Sequence, residues 1–355
     1  MSKMKIYHAD RDVVANDRAS SAMAANGPQS PFNGVARDAR GTHTAAEVME
    51  KSNLDWRVDQ HELFTKDGIA IPTHKALLRS DTNALLGVVG DGYTPLQNAE
   101  AFSFADSLVD TGRMEFLSAG QFSDGKRIFI QCKLNDKDGG LGATEIAPGD
   151  TVQPYFLLAN GHDGSLAVRV MLTSIRVICQ NTFAAAISRD GKKRETSSSI
   201  KHTRNLQERL EATRSLFTWA GETFNEFVST SRVLTRKQVG SETILKNYFR
   251  SVFDVEGDAD TFSTQLKNRE ERLIELFQVG YGNAEKSVRG SYWAAANAVT
   301  QYLTHESRTA IKGVDTKKIG QDERVTLERA KRLESSLFGG NQRITERALQ
   351  LAIAS

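Results

Sequence analysis

Some residue groupings in this chain have the types and spacing to do chemistry. From Gly120 to Arg127 a glycine is followed by four residues and then Gly125-Lys126, the outline of a phosphate-cradling loop. Such a loop needs Ser or Thr after the lysine to hold magnesium, and Arg127 stands there instead. It also joins a strand to a helix, whereas Ser123-Asp124-Gly125 reads as a turn between two strands, so a plain hairpin is expected. His162-Asp163, with Asn181 and Cys179 further on, offers a base, a carboxylate and an amide for acid–base work on a nucleotide or nucleic acid. More often such a pair simply caps a turn.

The strongest signal is charge. Arg189, Lys192, Lys193, Arg194, Lys201, Arg204 and Arg209 crowd one stretch against Asp190, Glu195 and Glu208. A phosphate backbone is attracted to such a stretch, with affinity that falls as salt rises. Lys192, Lys193, Arg194, Lys201 and Arg204 are therefore the expected phosphate contacts, with Arg176 and Lys126-Arg127 as secondary ones. Tyr93 and Phe122 are candidates for stacking on bases. Asn98, Gln180, Asn181 and Thr182 can bind phosphates or base edges if exposed; buried, they tie strand ends to helix starts.

Other chemistries find little support. Gly87, Gly90 and Gly92 lack the spacing of a dinucleotide fingerprint. The histidines form no helix-spaced metal pair, and Cys132 and Cys179 fit no zinc pattern and cannot build a disulfide framework. No nucleophile-elbow serine is present. No cofactor and no metal are expected.

These residues need elements to position them. Thr44 with Glu47 makes a capping box for a short helix ending near Lys51. Trp56 to Phe64 and Ile69 to Arg79 read as a hairpin across Lys66-Asp67-Gly68, with Leu85 to Val89 a third strand. Pro95 suits the first turn of a helix that buries Ala101, Phe104, Ala105 and Leu108. Two further hairpins pair Met114–Phe122 with Arg127–Leu134, and Val152–Ala159 with Ser165–Leu172. From about Asn205 the period is helical: Leu206, Leu210, Phe217, Ala220, Phe224 and Phe227 draw one long amphipathic helix. Helices then follow over Ser241–Phe253, Phe262–Val279, Ser287–Leu303, Asp322–Leu337 and from Ile344.

The expected fold class is α+β, an antiparallel-rich sheet with helices followed by an all-helical C-terminal half. The expected boundaries are a flexible leader over residues 1–43, a core domain over 44–188, a basic flexible linker over 189–204 and a helical region over 205–355. At 355 residues, 39% hydrophobic and 25% charged, the chain has ample core and is not disordered throughout. The net charge of +2 decides nothing, since the placement of charge matters more than its sum. No apolar run nears the roughly 20 residues that span a bilayer, and Met1 to Asp10 lacks a signal-peptide stretch, so a cytoplasmic location is expected.

One set of ordered motifs is distinctive. It comprises Leu86-Gly87-Val88-Val89-Gly90, Tyr93, Gln97-Asn98-Ala99-Glu100-Ala101-Phe102, Gly120 with Gly125-Lys126-Arg127, His162-Asp163-Gly164-Ser165, and Arg176 leading to Cys179-Gln180-Asn181-Thr182. Later come Ser291-Tyr292-Trp293-Ala294-Ala295, Asn297-Ala298-Val299-Thr300 and Leu337-Phe338-Gly339-Gly340. From about Trp56 onward the chain resembles the phage/plasmid-like protein family, a domain family of unknown function. That resemblance implies a role in mobile-element biology and carries no catalytic residue. At fold level the helix, three strands and helix resemble the core of single-strand annealing recombinases of the Red-beta and Erf type. That likeness implies ATP-independent binding and annealing of single-stranded DNA by a homo-oligomer, a ring or filament, in recombination. The rival expectations are an enzyme built on His162, Asp163 and Asn181, and a protein that antagonises host defence by binding a host protein.

Overall fold

The computed structural model describes residues 30–135, 140–164, 166, 169–177, 181–183, 197–199, 206–257, 261–307 and 319–355. They form a mixed α+β fold with antiparallel sheets in the N-terminal half and a mostly helical C-terminal region.

The larger sheet is ordered β1-β5-β6-β8-β9-β10, and every pairing in it is antiparallel. Its strands are β1 (Ala36–Asp38), β5 (Met114–Phe122), β6 (Arg127–Leu134), β8 (Asp150–Gly161), β9 (Arg169–Arg176) and β10 (Asn181–Phe183). Two more, β7 (Thr144–Ala147) and β11 (Ser197–Ser199), pair with β8 and β9. A smaller sheet holds β2 (Val58–Phe64), β3 (Ala70–Arg79) and β4 (Leu85–Gly90) in that order.

Both faces of the large sheet are covered, which explains why β8 reads as an almost unbroken apolar run. Val152, Phe156 and Leu158 point into one core, while Tyr155 and Leu157 point into a second on the other side. The first core is shared by α1 (Ala45–Lys51), α2 (Asn98–Phe102), α3 (Phe104–Val109) and most of the C-terminal helices. Those are α4 (Leu206–Arg236), α5 (Glu242–Val252), α6 (Thr264–Val279), α7 (Tyr292–Gln301), α8 (Gln321–Phe338) and α9 (Gly340–Ala354). The second core is closed by Phe32 and by Leu333 and Leu337 of α8. One buried cluster runs from Ala39 to Ala352, so strands and helices share an interior.

Local chemistry sets most boundaries. Ser241, Ser263 and Ser291 each accept the backbone N–H three residues on, starting α5, α6 and α7. Thr44 does the same for α1, while the Glu47 carboxylate takes the His43 N–H at 2.8 Å, one residue before a true capping box would. The helix expected near Pro95 begins only at Asn98, and that expected from Ser287 begins at Tyr292. Order also starts before Thr44. Phe32 stacks edge-on against Phe129, and β1 pairs with β5, both inside the span expected to be a leader. Residues 1–29 of that leader lie outside the described residues.

Candidate functional site

The phosphate-loop outline is a hairpin turn, as its context required. Ser123, Asp124 and Gly125 all adopt positive φ. A Cβ on Gly125 would sit 2.7 Å from the Trp56 ring, and one on Gly120 would sit 2.7 Å from Val35 O. These glycines let β1 and Trp56 approach the hairpin. Arg79 completes the packing, its guanidinium lying 4.3 Å over the Trp56 ring while it binds Asp81, Gln121 and the Asp124 carbonyl.

His162 follows directly on β8 and is buried against the same Trp56, ring centroids 5.4 Å apart. Its Nε2 lies 2.7 Å from Asn98 Oδ1. Asn98 donates its own amide to the Leu54 and Trp56 carbonyls, so its oxygen must accept from His162, and Nε2 carries the proton. Burial pushes the imidazole down to about 4 from 6.5; the Asp163 charge opposes this and Arg79 adds to it. His162 is thus neutral at pH 7, with its remaining lone pair on a buried Nδ1. Asp163 turns the other way, 3.8 Å from Arg127; burial, and then the Asp163 charge, raises the Tyr93 phenol.

Asn181 belongs to a different place. It pairs with Arg176, which pairs with Val152 near the start of β8, whereas His162 follows the end of that strand. Gly161 lies nine residue steps along the strand from Val152, about 30 Å at ~3.3 Å each. The His162, Asp163 and Asn181 trio is therefore not assembled. A histidine with almost no exposed surface and an acidic pKa is also a poor base at neutral pH. Cys179 lies outside the described residues. Cys132 is fully buried, and burial raises its thiol well above the usual range.

Arg176 was expected to reach phosphate, yet it is wholly buried. Its Nε and Nη2 donate to the two Asp150 carboxylate oxygens at 2.7 Å each. Its other N–H groups reach the carbonyls of Tyr281 and Gly282 and the Asn283 side chain, each at 3.1 Å. Trp293 Nε1 donates to the same carboxylate at 2.9 Å, and Asn181 Nδ2 bonds Asn297 on the same helix, α7. This knot ties the sheet edge to the helical region and offers no surface to a ligand. Asn98 and Asn181 thus take the structural role open to buried amides; Gln180 lies outside the described residues, as does the Thr182 side chain.

The other expected contacts divide similarly. Arg127 pairs with Glu334 of α8 at 3.1 Å, and Lys331 of the same helix donates to Ser123 at 2.9 Å, so α8 clamps the hairpin turn. Sequence reading missed this clamp, because nothing local links residues some 200 positions apart. Lys126 is half-buried beside it. Phe122 stacks on Phe129 in the second core, which removes it as a base-stacking residue; Tyr93 is half-exposed. Lys192, Lys193, Arg194, Lys201 and Arg204 lie outside the described residues, but their anchors do not. β8 occupies one edge of β9, so β10 and β11 both pair with the other. Phe183 stands opposite Ser174 and Ser197 opposite Met171. Part of the expected linker is therefore a strand.

Among the described residues no cluster of His, Cys, Asp or Glu could hold a metal ion, and no helix is long and apolar enough to cross a membrane. Fold and site define a two-sheet α+β protein whose strand and helical regions are locked by a buried ion pair. The chain belongs to the family described as "Domain of unknown function (DUF932)", which matches residues 85–333. No curated protein and no solved structure matches it.

Proposed function

We propose that this protein binds nucleic acid, holding or annealing single strands as a homo-oligomer, through the basic stretch that lies in the sequence between and just after β10 and β11. The supporting observation is the register of β10 and β11. They pair with β9 at positions three residues apart, about 10 Å, while thirteen residues, 184–196, connect them. Those thirteen hold Arg189, Lys192, Lys193 and Arg194 against Asp190 and Glu195. A cationic segment whose two flanking strands pair with one sheet edge is tethered by them, which limits the entropy lost on meeting a phosphate backbone. Lys201 and Arg204 follow β11 closely in the sequence and add to the same basic stretch. Arg176 plays no part in this reading, since Asp150 already holds it. The resemblance to phage and plasmid proteins and to annealing recombinases supports a setting in mobile-element recombination.

Titration of labelled single- and double-stranded oligonucleotides at several salt concentrations, with light-scattering mass, tests the reading. Salt-sensitive binding by a multimer that prefers single strands supports it, and absence of binding to either form at low salt removes it.

A further inference from the structure

Strand β9 carries an arginine at each end, and the two are placed in opposite ways. Arg176 is buried and held by Asp150. Arg169 is the one exposed residue among the eight of β9, and every residue after it is buried. Alternation puts Val170 and Leu172 in the first core and Met171 in the second, so both faces of the sheet are covered just beyond it. At Arg169 the strand emerges from the body of the protein.

The neighbours of Arg169 offer nothing that would neutralise it. Its row across the large sheet runs Ala36, Gly120, Phe129, Ala159, Arg169, Ser199. Leu157, Gly161 and Ser197 flank that row on the two adjoining strands, and no carboxylate stands among them. Among the described residues the Arg169 guanidinium has no hydrogen bond, ion pair or ring contact. Arg127, two strands away, differs, since Glu334 and Asp163 hold it.

Exposure alone assigns a guanidinium no role, because solvated arginines are common. The position of this one does. Ser199 of β11, opposite Arg169, belongs to the basic stretch, and paired Cα atoms across an antiparallel ladder lie about 5 Å apart. The Arg169 backbone is paired on both sides, with Ala159 and with Ser199. A planar guanidinium matches two phosphate oxygens at once, and a backbone already ordered loses less entropy on binding.

We propose that Arg169 is a phosphate contact for the bound nucleic-acid strand, carried by the sheet itself. The proposal rests on the reading of the basic stretch given above and adds to it a cation whose backbone position is fixed.

The test is anisotropy titration of a labelled single strand at several salt concentrations with Arg169→Gln, Arg169→Lys and Arg343→Gln. The last removes an exposed charge from α9 and controls for net charge. Arg169→Gln should weaken binding and make the log–log salt slope shallower by about 0.7, the share of one phosphate contact on a single strand. Arg169→Lys should restore the slope, and Arg343→Gln should leave affinity and slope at wild-type values. Urea midpoints should stay at the wild-type value, since the Arg169 side chain has no bond to lose. If Arg169→Gln changes affinity and slope no more than Arg343→Gln does, the proposal is overturned while the reading of the basic stretch stands. Wild-type protein that binds no strand at low salt overturns both.

Discussion

Arg176 and Asp150 face each other with two parallel hydrogen bonds of 2.7 Å, and neither side chain is more than 1% exposed. The pair lies where the sheet edge meets the Tyr281–Asn283 turn and α7. Removing one member strands the other charge in a low-dielectric interior. Arg176→Met or Asp150→Leu should each cost about 3–5 kcal/mol in urea unfolding. The double change should cost less than the sum of the two, because no lone charge remains. Additive losses would show that the residues act independently.

His162 makes stability depend on pH. Its folded pKa of about 4 lies below the ordinary 6.5, so the unfolded chain takes up the proton first. The stabilisation is complete above pH 6.5, declines as pH falls through the window from 6.5 to 4, and declines no further below it. The loss attached to this residue is roughly 3 kcal/mol across the window. Unfolding of wild type and His162→Gln at pH 7, 5.5 and 4 checks this: the wild-type slope should be steeper by about that amount. Parallel slopes would mean that the imidazole is not buried neutral.

Gly125 makes a steric prediction. Alanine there would add strain at φ +95° and place a methyl group 2.7 Å from the Trp56 ring. Gly125→Ala should lower stability by about 2 kcal/mol or more and shift the fluorescence of Trp56. A phosphate-cradling role would instead show as lost ligand affinity at unchanged stability.

Much of the fold could be read from the sequence, because its signals are local. The Met114–Phe122 and Arg127–Leu134 hairpin has the expected bounds, as alternation and a Ser-Asp-Gly turn suffice to specify it. The helices expected from Ser241 and Phe262 begin within two residues of those positions, where Ser241 and Ser263 cap α5 and α6. What escaped reading depends on partners distant in sequence. β1 and β10 are three residues each, too short for a periodic signal, and exist because β5 and β9 offer edges to pair with. The site behaved likewise. Arg176 is a basic residue on a strand in either reading, and only Asp150, 26 positions away, decides that it is buried. Asn181 and His162 look close in sequence, yet opposite ends of β8 separate them.

The central claim, that the basic stretch anchored by β10 and β11 carries nucleic-acid binding, is tested most directly by one variant. Lys192, Lys193 and Arg194 are changed together to glutamine, and anisotropy titrations with a labelled single strand are run at several salt concentrations beside wild type. Binding should weaken and the log–log salt slope should become shallower by about 2, with fold and mass unchanged. Affinity and slope equal to wild type would contradict it.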